Sequence, residues 1–200
     1  VRRYSFLLFL IITTSTYAES IKWHDGVLVL KNNDVLVGRL TIQPALNVIL
    51  FQSEDQSAFY QLDKVDYVTY HDQEANLSRT FLSLSLAENG RTLNHLYEVV
   101  LRGRISVVRK PRSAYIPEVT DVGSFDYFVL ENGRAIELTQ FRKKVFPSME
   151  ASCNKSQLKS FMREKGLDPN DNKDALRLIE YFNDGAIAVT LPSQKQAALL

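Results

Sequence analysis

The chain runs to 200 residues, of which 45% are hydrophobic and 10% aromatic, a composition that supports a packed core and excludes disorder over most of the length. Its 24 basic and 23 acidic side chains nearly cancel, so nothing draws it generally to nucleic acid or anionic membrane, and an electrostatic partner must meet a local patch. One cysteine, Cys153, rules out a disulfide within the chain and with it the small stapled secreted class.

Residues 1–18 read as a cleavable secretory signal peptide. Arg2 and Arg3 give a positive start, residues 6–12 an apolar core, and Thr16 and Ala18 place small residues three and one before Glu19. The apolar run falls short of the roughly 17 to 25 residues that cross a bilayer. Cleavage after Ala18 would leave 22 basic against 23 acidic side chains and put the working protein in the periplasm or the medium, with no transmembrane span after cleavage.

Residues 19–139 alternate short β-rich runs with turn chemistry and predict an antiparallel β-rich body. Runs at 27–30 and 35–42 flank Lys31-Asn32-Asn33-Asp34, whose Asn and Asp tolerate the left-handed backbone of a tight hairpin. Runs at 46–51, 59–62 and 65–70 follow, with Leu46, Val48 and Leu50 expected on one face. In residues 81–86 the alternation puts Leu82, Leu84 and Leu86 on a dry side and Ser83 and Ser85 on a wet one. Asn89-Gly90 marks a turn before 96–101, Arg102-Gly103 another before 105–108, and Asn132-Gly133 a hairpin between 125–130 and 135–138.

Beyond Thr139 the period lengthens towards a helical one, and residues 140–185 predict C-terminal helices packed on the β body. Pro147 suits the first turn of a short helix at 148–152. Asn154 can cap a second, with Gln157 answering as in a capping box and Gly166 ending it. A third is expected from about 173 to 183, ended by Asp184-Gly185, with residues 186–200 as a frayed tail. The fold class is therefore α+β: nine or ten mainly antiparallel strands, as a sheet or partly closed barrel, with two or three helices at the C-terminal end.

Metal and cofactor motifs are missing from the sequence. Asp168-Pro-Asn170-Asp-Asn172-Lys173-Asp174 sits where a calcium loop would, but Lys173 takes the place of the required Gly and Ile179 that of the bidentate Glu, so helix capping explains the segment better. His24, His71 and His95 are far apart, no Gly-x-Ser-x-Gly elbow is present, and Cys153 reads as a packed thiol. The basic run Arg102, Arg104, Arg109, Lys110 and Arg112 contains no acid and is the candidate anion-binding feature, able to grip a headgroup, phosphate or polysaccharide. The same charges suit a solvated strand edge that blocks pairing with other sheets. Arg142-Lys143-Lys144 is a shorter case.

Trp23-His-Asp-Gly26, residues 96–103 with Ile105-Ser-Val-Val108, and residues 127–133 are similar to segments in a family of uncharacterised exported proteins of Bacteroidota. Arg142, Cys153 and Tyr181-Phe-Asn183 extend the resemblance over most of the chain. It implies an envelope location and a β-rich body with a helical end, and it carries no activity. The expected role is that of a non-enzymatic envelope module binding a protein, a polysaccharide or an anionic lipid, and not nucleic acid. The alternative is a hydrolase or carbohydrate-active protein whose site is assembled only in three dimensions.

Overall fold

A computed structural model of the chain describes residues 22–88, 91–113, 115–131 and 134–187. The expected signal peptide, the Asn89-Gly90 and Asn132-Gly133 turns and the tail from residue 188 lie outside the described residues. The strands are β1 (His24–Leu30), β2 (Val35–Gln43), β3 (Val48–Gln52), β4 (Ser57–Gln61), β5 (Val65–Asp72), β6 (Leu77–Glu88), β7 (Arg91–Leu101), β8 (Ser106–Pro111), β9 (Phe125–Glu131) and β10 (Arg134–Glu137). The helices are α1 (Phe141–Lys144), α2 (Phe146–Ala151), α3 (Lys155–Lys165) and α4 (Asn172–Ile187). The fold is α+β, as the sequence predicts.

All ten strands form one antiparallel sheet in the order β10-β9-β8-β7-β6-β5-β1-β2-β3-β4. Neighbours in sequence pair throughout, except that β1 lies between β5 and β2 and leaves β4 as an edge. Short polar turns set these registers. Asn33 takes a positive φ of 70° in the β1–β2 turn, where the Asn32 side chain accepts from the Asp34 N–H at 3.1 Å. Pro44 opens a single 3-10 turn, and Asn47 closes it in the left-handed region at φ 53°.

That turn displaces one expectation. Leu46 belongs to it and is 71% exposed, and the buried residues of β3 are Ile49 and Phe51, not Leu46, Val48 and Leu50. The two-residue change in where this strand begins does not move its faces, but it removes the residue that made the wrong face look apolar. A second correction falls on β6, where Phe81 and Ser83 are buried and Leu82 and Leu84 only half-buried. Ser83 is accommodated because its hydroxyl donates to the Leu62 carbonyl oxygen at 2.5 Å.

Register and the two-residue period place both cores on the same face of the sheet, called here the inner face. At one end the sheet curls so that Leu28, Leu40, Ile49, Phe51, Val68, Phe81 and Leu96 meet across it. At the other end Val107 and Val129 receive the helices through Leu138, Phe141, Val145, Met149, Leu158, Leu178 and Ile179. Each fully buried large side chain contributes about 1.5–3 kcal/mol, so the helical end depends on this contact far more than on its short helices' own propensities.

Local chemistry fixes those helices. The Asn154 side chain accepts from the Ser156 and Gln157 N–H groups, and Gly166 ends α3 at φ 63°, a conformation it adopts without a Cβ penalty. Two boundaries depart from expectation: α1 appears at Phe141, and α4 runs through Asp184-Gly185 to Ile187. Packing of Ala175, Leu178, Ile179 and Phe182 carries α4 past its weak stop signal. Among the described residues no helix is long and apolar enough to cross a membrane.

Candidate functional site

Between the two cores the inner face is charged. Asp72 ends β5 and, through Oδ1, accepts from the Glu74 and Ala75 N–H groups at 3.2 Å each, capping the turn into β6. Its other oxygen accepts from Arg79 Nη1 at 3.5 Å. Arg79 then forks onto Glu98 of β7, Nε to Oε1 at 2.8 Å and Nη2 to Oε2 at 2.9 Å. Arg109 of β8, directly opposite Glu98, donates Nε to Oε2 at 2.7 Å. The result is a chain of two carboxylates and two guanidiniums with no net charge, and all four residues are buried.

Every geometric requirement for burying such charges is met: a forked arginine, short charge-assisted bonds and aromatic faces. The Arg109 guanidinium carbon lies 3.9 Å from the centre of the Phe125 ring, and that of Arg79 lies 5.3 Å from Phe81. Burial pushes the Asp72 carboxyl up, but the Ala75 N–H and the Arg79 charge outweigh it and hold the group below the usual carboxylate range. Burial also works against the Arg79 charge, and Glu98 overrides it and keeps the guanidinium protonated.

The remaining donors of the arginines fasten the β8–β9 connection over the chain. Arg79 Nη1 and Nη2 reach the Pro117 carbonyl oxygen at 3.4 and 3.5 Å, and Arg109 Nη1 reaches that of Val119 at 3.2 Å. Ile116 of this strap packs against the curled core. A cleft lies on each side of Ile116: one of 410 Å3 beside His24, Tyr70, Asp72 and Tyr115, the other of 260 Å3 beside Phe81, His95, Leu96 and Lys110.

The larger cleft carries mixed charge. His24 stacks on Tyr70 with ring centres 4.3 Å apart. Burial lowers the imidazole's pKa despite the opposing pull of Asp72, and burial raises the Tyr70 hydroxyl to about 12, so both rings are uncharged at neutral pH. Lys22 and Glu74 close one side in an ion pair of 2.5 Å. The lining of this cleft includes the carboxylates of Asp72, Glu74 and Glu118 and the hydroxyl-bearing Thr41, and no serine or cysteine among the described residues.

No family model, no curated protein and no solved structure matches this chain. The site must therefore be read from its own geometry.

The structure does not bring the five basic candidates onto one surface. Arg102 and Arg104 are exposed in the β7–β8 turn, not on an extended strand, and Arg104 lies 5.0 Å over the Phe182 ring. Arg109 faces inward into the ion chain. Lys110, next along, faces the other way, with its ammonium 6.0 Å from the centre of the Tyr97 ring. Arg112 is exposed and pairs with Asp126 at 2.7 Å. Of the run, Lys110 and Arg112 line one cleft together.

The other candidates resolve individually. His71 is exposed, and His24 and His95 line different clefts. Cys153 is half-buried, and burial raises its thiol's pKa. In the loop before α4, Asp171 accepts from the Lys173 and Asp174 N–H groups at 2.9 and 3.0 Å, and Asp174 from that of Asp168 at 3.0 Å, so these side chains serve as caps. Among the described residues no cluster of three or more His, Cys, Asp or Glu could hold a metal.

Sequence reasoning missed Asp72, Arg79, Glu98 and the strap at 115–119. Glu98 carried the one available signal: a lone acid within His-Leu-Tyr-Glu-Val-Val-Leu, where an exposed position would break an apolar run and a buried one demands a partner.

Proposed function

We propose that this protein is a non-enzymatic exported module of the cell envelope, which holds another envelope component in the clefts on either side of the strap. The observation that carries the reading is the state of the charged groups under the larger cleft. Asp72 and Arg79 line this cleft and are fixed by the ion chain through Glu98 and Arg109 and by the strap carbonyls, so they form a set floor, and the Asp72 carboxyl, held below its usual range, is not kept protonated for acid catalysis. A preformed cleft of 410 Å3 over such a floor is of the size that takes a small ligand or the end of a larger one. The exposed Tyr115 offers it an aromatic face.

A hydrolase is the second reading, favoured by one observation: an uncharged imidazole, His24, in a cleft shared with three carboxylates. One experiment separates the two. The native protein is incubated with envelope extract, and the retained material is eluted and identified by mass spectrometry against an untreated control. The binding reading expects an intact component whose retention falls with Tyr115→Ala and survives His24→Gln. Cleaved products that disappear with His24→Gln would replace it with the hydrolase. Export is checked by N-terminal sequencing of the native protein, which should begin at Glu19.

A further inference from the structure

The two edges of the sheet differ. β10 is four residues long, begins with Arg134 and ends with Glu137, both exposed, and leads straight towards the helices. Charges at an edge keep other strands away. β4, at the other edge, reads Ser57-Ala-Phe-Tyr-Gln61; it holds no charge and no proline, and its register with β3 has no bulge. Among the described residues it pairs with β3 alone.

The ladder decides which backbone groups that edge presents. At its two ends the Leu62 N–H donates to the Asn47 carbonyl oxygen at 3.2 Å, and the Ser53 N–H to that of Gln56 at 2.8 Å. Hydrogen-bonded pairs of an antiparallel ladder fall at every second residue, so Tyr60 and Ala58 exchange bonds with Ile49 and Phe51. Ser57, Phe59 and Gln61 therefore turn their N–H and C=O groups to the open edge. Side chains alternate as well. Ala58 and Tyr60 belong to the inner face, with the Tyr60 ring 6.2 Å from that of Phe51. Phe59 lies opposite Leu50 on the other face and is 67% exposed.

Two such edges fit one another. A two-fold antiparallel pair sets one residue opposite its own copy, and only Phe59 in that place lets all of β4 pair in both copies. Phe59 then meets Phe59 of the second copy, Ala58 meets Tyr60, and Ser57 meets Gln61: aromatic on aromatic, small beside large, polar beside polar. The pairs made by Ser57, Phe59 and Gln61 are the hydrogen-bonded ones, so every outward backbone group of β4 finds a partner. The chain bends away at both ends, through Glu54-Asp55 and Asp63-Lys64, which stops the pairing from lengthening. A net charge of +1 sets up no general repulsion between copies.

We propose that β4 is a dimer interface, which pairs about Phe59 with β4 of a second copy of this chain and joins the two sheets into one. With the opposite edge blunted by charge, the contact closes at two copies and does not grow into a fibre. A contact of this length is smaller than the roughly 800 Å2 per partner of a standard interface, so the dimer is reversible and forms at micromolar concentration. No β4 residue lines the clefts beside the strap, and the proposal stands apart from the binding reading.

Sedimentation equilibrium of the native protein from about 1 µM to 1 mM should show the average mass rising from one copy towards two and no further. Phe59→Lys sets two ammonium groups opposite each other and should weaken the dimer at least about tenfold. Its thermal melt at low concentration should match the parent's, because the side chain it replaces is exposed. Register is read by cross-linking in a Cys153→Ser background. Phe59→Cys should join two copies on oxidation. Ser57→Cys should not, because its two copies would stand several residues apart along the ladder, beyond the roughly 7 Å between Cα atoms that a disulfide spans. One copy at every concentration, a mass that climbs past two copies, a dimer that Phe59→Lys leaves intact, or equal cross-linking by the two cysteine variants would overturn the proposal.

Discussion

Replacing Glu98 with Gln removes the centre of the buried ion chain with almost no change in shape. The Glu98 side chain is 5% exposed, and it accepts three short bonds, two from Arg79 and one from Arg109, whose side chains are 3% and 6% exposed. A neutral amide can accept through one oxygen only and would turn its NH2 towards a guanidinium, leaving two buried cations facing each other. Breaking a buried ion pair from one side costs about 3–5 kcal/mol. At roughly 2–4 °C per kcal/mol for a chain of this size, the melting temperature should fall by about 6–20 °C. Circular dichroism melts and urea titrations of the two proteins measure this directly. A companion variant, Asp72→Asn with Arg79→Met, Glu98→Leu and Arg109→Met, removes all four buried charges together, and apolar replacement of whole ionic clusters is often neutral or stabilising. It should melt well above Glu98→Gln while losing the strap, because Pro117 and Val119 lose their donors. A Glu98→Gln protein within about 1 kcal/mol of the parent would refute the claim that this chain joins the two cores.

Four further outcomes are expected. Asn183 of α4 accepts from the Ile105 N–H at 3.1 Å and donates to its carbonyl oxygen at 2.9 Å, so Asn183→Ala should cost about 1–3 kcal/mol in urea titrations by stranding both groups. Because a Cβ on Gly103 would strike the Asn183 side chain, Gly103→Ala should cost less in the Asn183→Ala background than alone. His24 has its pKa lowered from 6.5 by burial, so the unfolded chain takes up the proton first. Stability should then be full above pH 6.5 and fall as the pH drops from there through the folded pKa, and the fall should be smaller in His24→Gln; an unchanged slope would count against a half-buried, uncharged imidazole. Ser83→Ala removes the bond from a buried hydroxyl to the Leu62 carbonyl oxygen and should cost about 1 kcal/mol by the same titration, where a polar-out serine would cost nothing.

The elements were legible because each is punctuated locally. Asn33 accepts a positive φ, Asn154 caps α3 and Gly166 ends it, and all three signals lie within the turn they control. Faces were less legible than elements. Ser83 reads as exposed because it is polar, and nothing near Arg79 marks it as buried, yet each is buried beside a partner that lies 21 and 19 residues away, and a period-two pattern cannot register such a partner. For the same reason the basic run looked like one patch. Alternation along β8 sends Arg109 inward and Lys110 outward, and the turn after Leu101 separates Arg102 and Arg104 from both. The helix at Phe141 was hidden by its four-residue length, and the end of α4 by the packing that carries it past Gly185. The clefts depend on Pro117 and Val119 offering carbonyl oxygens, a property of every residue, which leaves no mark in sequence.

The arginine side-chain Nε–H resonances give the most direct measurement of the whole arrangement. If Arg79 and Arg109 are buried on Glu98, hydrogen exchange at neutral pH should find their Nε–H groups protected to the level of the core amides of β6 and β7, with protection lost in Glu98→Gln. Exchange of both groups as fast as that of the exposed Arg102 would contradict the joined cores, the fastened strap and the clefts beside it.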